Sequence, residues 1–191
     1  MLHDHLKTHT KVEHVALEKH FIQMIRDISN EADYANFLSL LYSYYSSVEY
    51  RIAPYLMESE IGDYAERRKS AAILDDLADM NMAARELESP DELPSVFCYY
   101  SALGVLYVFE GSTLGGQVIA RMINERVGAN APMKFFRSYG ENTYEMWGRF
   151  KEYLDRPYTD EQKERILSGA VQTFQTLKNW LITNDKLQVR F

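Results

Sequence analysis

Apolar residues recur at intervals of three and four through most of this chain, and that period constrains its fold more than any other feature. Between residues 5 and 28, His14, Leu17, Phe21, Ile25 and Ile28 follow at steps of 3, 4, 4 and 3, which is one stripe of an amphipathic helix. Tyr34, Phe37, Leu38, Leu41, Tyr45, Val48 and Ile52 continue the pattern over 32–56, with Pro54 near its end. A more polar helix is expected over about 64–81, through Ile73, Leu74, Leu77 and Met80. Pro90 and Pro94 mark a loop. Ser95 then reads as the cap of a long helix to about Arg126, closed by Gly128 and Pro132. A helix over 144–154 stops before Pro157, and Thr159 with Gln162 has capping-box spacing for a last helix to about Asn184. No alternating run bounded by hairpin turns occurs. The expectation is an all-α fold, a single multihelical domain over 1–191 with six or seven helices.

Composition narrows what such a domain does. Fourteen Tyr and nine Phe in 191 residues can fill a core. A net charge of −7 and a pI near 5.3 argue against general nucleic-acid binding, which needs a basic footprint. The lone Cys98 can form neither an internal disulfide nor a thiolate zinc site. Residues 1–7 lack the pattern of a signal peptide, no window is a spanning helix, and Asp185–Phe191 is too mixed to anchor. A cytoplasmic protein without membrane attachment is expected.

Two features depart from an ordinary helical core. Four of the nine glycines, Gly104, Gly111, Gly115 and Gly116, fall in one apolar helical window. Each costs about 0.8–1 kcal/mol relative to Ala inside a helix, so a local reason is needed. Gly104, Gly111 and Gly115, spaced by 7 and 4, share one face, and removing Cβ there lets something flat lie on the backbone. The adjacent Gly115–Gly116 pair permits a kink. Close helix–helix packing through small residues is the competing explanation.

The second feature is that all five histidines lie within the first twenty residues. His3, His5 and His9 sit near the terminus, and His5 with His9 lacks an acidic third metal ligand. His20 falls off the stripe and should point outward. His14 continues the stripe and should face inward, with Glu18 four residues on to accept from Nδ1 and leave Nε2 for a metal. One histidine is a poor zinc site but suffices as the axial ligand of a haem iron. A helix face without Cβ atoms suits the other side of a planar macrocycle.

At these residues the sequence resembles the haem oxygenases. The family's first-helix pattern Leu-Lys-x-x-Thr-x-x-x-His-x-x-x-Glu stands as Leu6, Lys7, Thr10, His14 and Glu18, and its distal Gly-x-x-x-Gly-Gly-Gln as Gly111, Gly115, Gly116 and Gln117. The form is similar to the soluble bacterial branch. The resemblance implies a haem held between the first helix and a Gly-kinked distal helix. His14 would be the iron ligand with Glu18 as its partner. Gly111, Ser112 and Gly115 would form the catalytic distal side. Ser112 stands where mammalian members carry Asp, a departure in the proton-delivery network. Lys7, Tyr107 and Arg149 would contact the haem carboxylates.

The implied reaction opens haem, both substrate and cofactor, to biliverdin, CO and Fe²⁺. It uses O2 and an external electron donor, a ferredoxin- or flavin-type reductase, since no nucleotide-binding strand–turn–helix is present. Other expectations remain open. A haem carrier or sensor would keep the His14 pocket without turnover, and a helical interaction module would bind no haem. A thiaminase-like or di-iron enzyme would need a catalytic Cys or a Glu-x-x-His motif, and the latter is missing.

Overall fold

In the computed structural model, residues 1–185 are described; of the C-terminal segment read above as unable to anchor, 186–191 lie outside them. The described residues form only helices and connections: α1 (Leu2–His9), α2 (Lys11–Asp27), α3 (Glu31–Leu56), α4 (Ala71–Asp79), α5 (Tyr99–Thr113), α6 (Gly116–Val127), α7 (Lys134–Arg137), α8 (Thr143–Leu154) and α9 (Asp160–Asp185). The all-α expectation is met. Nine helices replace the six or seven expected among the described residues, for local reasons.

The first predicted helix is two, broken at Thr10. The Thr10 side chain is buried and donates to the Leu6 carbonyl at 2.8 Å, a local bond that competes with the helical ladder. The long helix expected from Ser95 begins instead after Cys98. There the Ser101 hydroxyl accepts from the Cys98 N–H at 3.2 Å and donates to the Cys98 carbonyl at 2.8 Å. That helix is also broken after Thr113, and α5 and α6 meet at a bend of 53°. The Gly115–Gly116 kink is therefore real. The helix expected over 64–81 is a single 3₁₀ turn at Tyr64–Glu66 followed by α4, which Asn81 stops with a positive φ of 56°. The Thr159–Gln162 capping box forms as expected, with each side chain bonded to the other's backbone N–H at 2.9 and 3.3 Å. The short α7 carries no sequence period. Its first two N–H groups, on Lys134 and Phe135, donate to the buried Asp76 of α4 at 2.6 and 3.0 Å.

Helix α9 packs against both α5 and α2, with Leu103, Ile166, Ala170 and Leu181 fully buried. The α5–α9 crossing is unusually close because glycines meet backbone on both sides. A Cβ on Gly104 would lie well under 3.0 Å from the Ile166 carbonyl oxygen, and one on Gly169 would meet the Ser101 carbonyl in the same way. Gly116 stands likewise against the Phe136 carbonyl of α7. Among the described residues no single helix is long and apolar enough to cross a membrane; the bent α5–α6 pair passes that test together, while most of α5 is buried in the core.

Candidate functional site

The four glycines of the α5–α6 region divide into two pairs. Gly104 and Gly116 are used up by backbone packing, so the expectation that Gly104 shares an open face is corrected. Gly111 and Gly115 have room: the nearest atom to a Cβ on Gly111 is Trp147 Cη2 at 3.9 Å, and on Gly115 the Ser112 carbonyl oxygen, also at 3.9 Å. Close helix packing thus explains two glycines and leaves two for another purpose.

His14 lies in the first turn of α2. Its N–H donates to the Thr10 carbonyl at 2.9 Å, while its imidazole makes no hydrogen bond among the described residues. The ring stands edge-on to Phe174 of α9, with centroids 5.6 Å apart and planes at 80°. The side chain is exposed, not inward-facing as the stripe suggested, because the buried face of α2 is set by Leu17, Met24 and Ile25. Glu18, one turn on, is also exposed, and no hydrogen bond joins it to His14. His20 reverses its expectation: its Nε2 is buried and unpartnered.

Tyr107 links the two walls. It is buried on α5, one turn before Gly111, beside the Thr10 hydroxyl at the α1–α2 break. Burial pushes its phenol above the ordinary value, and the Thr10 hydroxyl partly opposes that rise. Its ring lies 5.9 Å from that of Trp147 on α8. Trp147, Tyr107 and Gly111 therefore meet at one place. Trp147 was missed by sequence reasoning, since a single aromatic in a short amphipathic helix carries no signal of its own. Phe174 was missed for the same reason.

Ser112 is held at the end of α5. Its hydroxyl donates to the Phe109 carbonyl at 2.7 Å and accepts from Arg68 Nη2 at 2.8 Å. Arg68 Nη2 also donates to the Phe109 carbonyl at 2.8 Å. The guanidinium lies over Phe135 at 4.2 Å and Tyr45 at 5.5 Å. Arg68 too was missed: Arg67-Arg68-Lys69 read as part of a polar helix, whereas the run follows a 3₁₀ turn packed on α5. Beside it, the fully buried Arg67 pairs with Asp63 and Glu110. Tyr139 accepts from the Arg68 N–H at 2.8 Å and donates to Glu110 at 2.9 Å. Burial and the Glu110 charge raise the Tyr139 phenol well above its ordinary range.

The remaining cations differ in availability. Lys7 on α1 is exposed and forms no ion pair among the described residues. Arg149 on α8 is half exposed and paired to Glu145 at 2.8 Å. Of the described residues, no group of three or more His, Cys, Asp or Glu side chains can hold a metal ion. A single imidazole opposite an open backbone face fits a ligand that brings its own metal in a planar frame.

The comparisons agree with that fit. The family model described as Heme oxygenase matches residues 1–183. Among solved structures, the NO- and CO-bound heme oxygenase from Neisseria meningitidis is similar in fold, with a TM-score of 0.75 and 19% identity. The likeness covers 97% of this chain and 92% of that one. No curated protein matches the chain.

Proposed function

Because the chain belongs to the haem oxygenase family, we propose that it opens haem oxidatively to biliverdin, CO and Fe²⁺ within one domain spanning 1–191. The observation that carries this reading is the pairing of an unpartnered His14 imidazole with the open face at Gly111 and Gly115. O2 and electrons from a separate ferredoxin- or flavin-type reductase are required. Bound haem supplies the iron that engages O2 and the porphyrin carbon that is attacked.

The chain's own residues then have distinct tasks. His14 offers a neutral nitrogen to iron. Its edge contact with Phe174 restricts ring rotation, and Glu18 is the nearest carboxylate along α2 to take Nδ1–H. Gly111 and Gly115 let the distal backbone lie against the macrocycle, so attack is steered by main-chain crowding. Trp147 and Tyr107 wall the pocket and exclude water. Ser112 is the hydroxyl through which protons reach the distal side. Its proton already points to the Phe109 carbonyl, so delivery involves rotation of that hydroxyl or exchange with solvent at its exposed side. Lys7 is the free cation for a haem carboxylate; Arg149 serves only by leaving Glu145. The lone thiol of Cys98 suits a reducing cytoplasm.

The test is direct. The purified protein with haem should show a histidine-ligated spectrum that His14→Ala abolishes. Adding ascorbate or a reductase should replace the Soret band by the red absorption of biliverdin. An unchanged Soret band in His14→Ala refutes the ligand assignment. Haem that stays intact under reducing conditions identifies a carrier or sensor instead.

A further inference from the structure

The haem reading leaves one charge unexplained. Arg68 is half-buried, yet no carboxylate lies within ion-pair distance of it among the described residues. Buried arginines are normally paired. Of its five N–H donors, only those on Nη2 and the backbone N–H have protein partners. Its neighbours cannot neutralise it. Asp63 and Glu110 are both taken by Arg67. Glu49 of α3 accepts from the Ser70 N–H and hydroxyl at 2.7 and 2.5 Å. Lys69 adds a further positive charge, and Tyr139 is held protonated by burial. The aromatic faces of Phe135 and Tyr45 fix the guanidinium from the side. What it grips is the last turn of α5, at Phe109 and Ser112, on either side of Gly111.

We propose that Arg68 presents a fixed positive charge at the open Gly111–Gly115 face and there stabilises a small anion bound on the distal side of the haem. This rests on the haem reading above and adds a residue to it. The guanidinium holds the Ser112 hydroxyl by one Nη2 donor, and its Nε and Nη1 donors remain for the anion. A fixed cation inside a partly desolvated pocket interacts with an anion far more strongly than an exposed one does. It costs no reorganisation, because Phe109, Ser112, Phe135 and Tyr45 already hold it.

The experiment titrates the ferric haem complex of the full chain with azide and with fluoride at fixed pH and ionic strength. Carbon monoxide on the reduced complex is the neutral control. Arg68→Gln should weaken both anions about tenfold and leave carbon monoxide within about twofold. Arg68→Lys, which keeps the charge but loses the fork, should weaken the anions by less than about threefold. If Arg68→Gln does not fold, Arg68→Lys decides alone: a tenfold anion loss there overturns the charge argument. Unchanged anion affinities in folded Arg68→Gln overturn the proposal. So does an equal loss of anions and carbon monoxide, which would mark a purely structural role. Weaker haem binding with normal azide affinity would assign Arg68 to a haem carboxylate and also overturn it. A wild-type chain that takes up no haem refutes the family reading itself, and this proposal with it.

Discussion

Gly104 and Gly111 lie on the same helix seven residues apart, yet the structure assigns them opposite responses to one added methyl group. In Gly104→Ala the new Cβ would lie well under 3.0 Å from the Ile166 carbonyl oxygen and 2.9 Å from the Ala170 nitrogen. Both are backbone atoms of α9 and cannot rotate aside, so the helices must separate. Overpacking of this kind costs about 1–3 kcal/mol, with the upper end expected where a whole helix must move. Alanine returns about 1 kcal/mol of helix preference, leaving a net loss of about 2 kcal/mol. At 2–4 °C per kcal/mol for a chain of this size, Tm should fall by roughly 4–8 °C. In Gly111→Ala the nearest atom is Trp147 Cη2 at 3.9 Å, ordinary contact. The helix preference is then gained without penalty, and the haem-free protein should melt about 2–4 °C higher. The same variant should bind haem more weakly, because the methyl group occupies the face the macrocycle needs. Urea and thermal unfolding followed by circular dichroism measure the first pair of effects, and haem titration the second. The division of the glycines into packing and site pairs is refuted if Gly104→Ala is as stable as wild type. It is equally refuted if Gly111→Ala loses stability while binding haem normally.

Further predictions concern the network around α5 and the helix ends. Arg67→Met leaves the buried Glu110 without its cation and should cost about 3–5 kcal/mol; a loss below about 1 kcal/mol in urea unfolding would mean that Glu110 takes up a proton at no cost. Burial raises the pKa of Asp76 against the opposing N–H bonds from α7. A carboxyl whose native value is raised favours folding below its unfolded pKa of about 4 and loses that contribution as pH rises through the native value. Asp76→Asn should therefore flatten that part of the stability–pH profile between about pH 4 and neutrality, and equal slopes for the two proteins would refute the direction. Thr159→Ala removes one half of the α9 capping box and should lower stability by about 1 kcal/mol, with no change in haem affinity.

The helical period was enough to place α3, α8 and α9, because in each the apolar stripe and the end signals agree. It failed where a side chain cuts the backbone ladder. Thr10 breaks the first helix by bonding back to Leu6, and a threonine inside a periodic run gives no warning of that. The glycine window marked the kink and two of the site positions, but spacing alone could not separate Gly104 from Gly111. That distinction depends on where α9 crosses, a contact between residues more than sixty positions apart in sequence. Arg68 was illegible for a related reason. Its role comes from Phe135, Tyr45 and Ser112, on three other segments, and none of them marks a short basic run as part of a pocket.

The position of α9 also bears on how the chain comes together during synthesis. Ala170 seats Gly104 of α5, and Phe174, one turn later on the same helix, seats the His14 ring. Both walls of the site are braced by the last helix to be made, although His14 is among the first residues translated. At about 5–20 residues per second, the nascent chain carries an exposed imidazole and an unbraced α5 for several seconds before their common support emerges. Capture of haem should therefore follow release of the C-terminal helix from the ribosome, and chains stalled before residue 160 should not acquire the ligand.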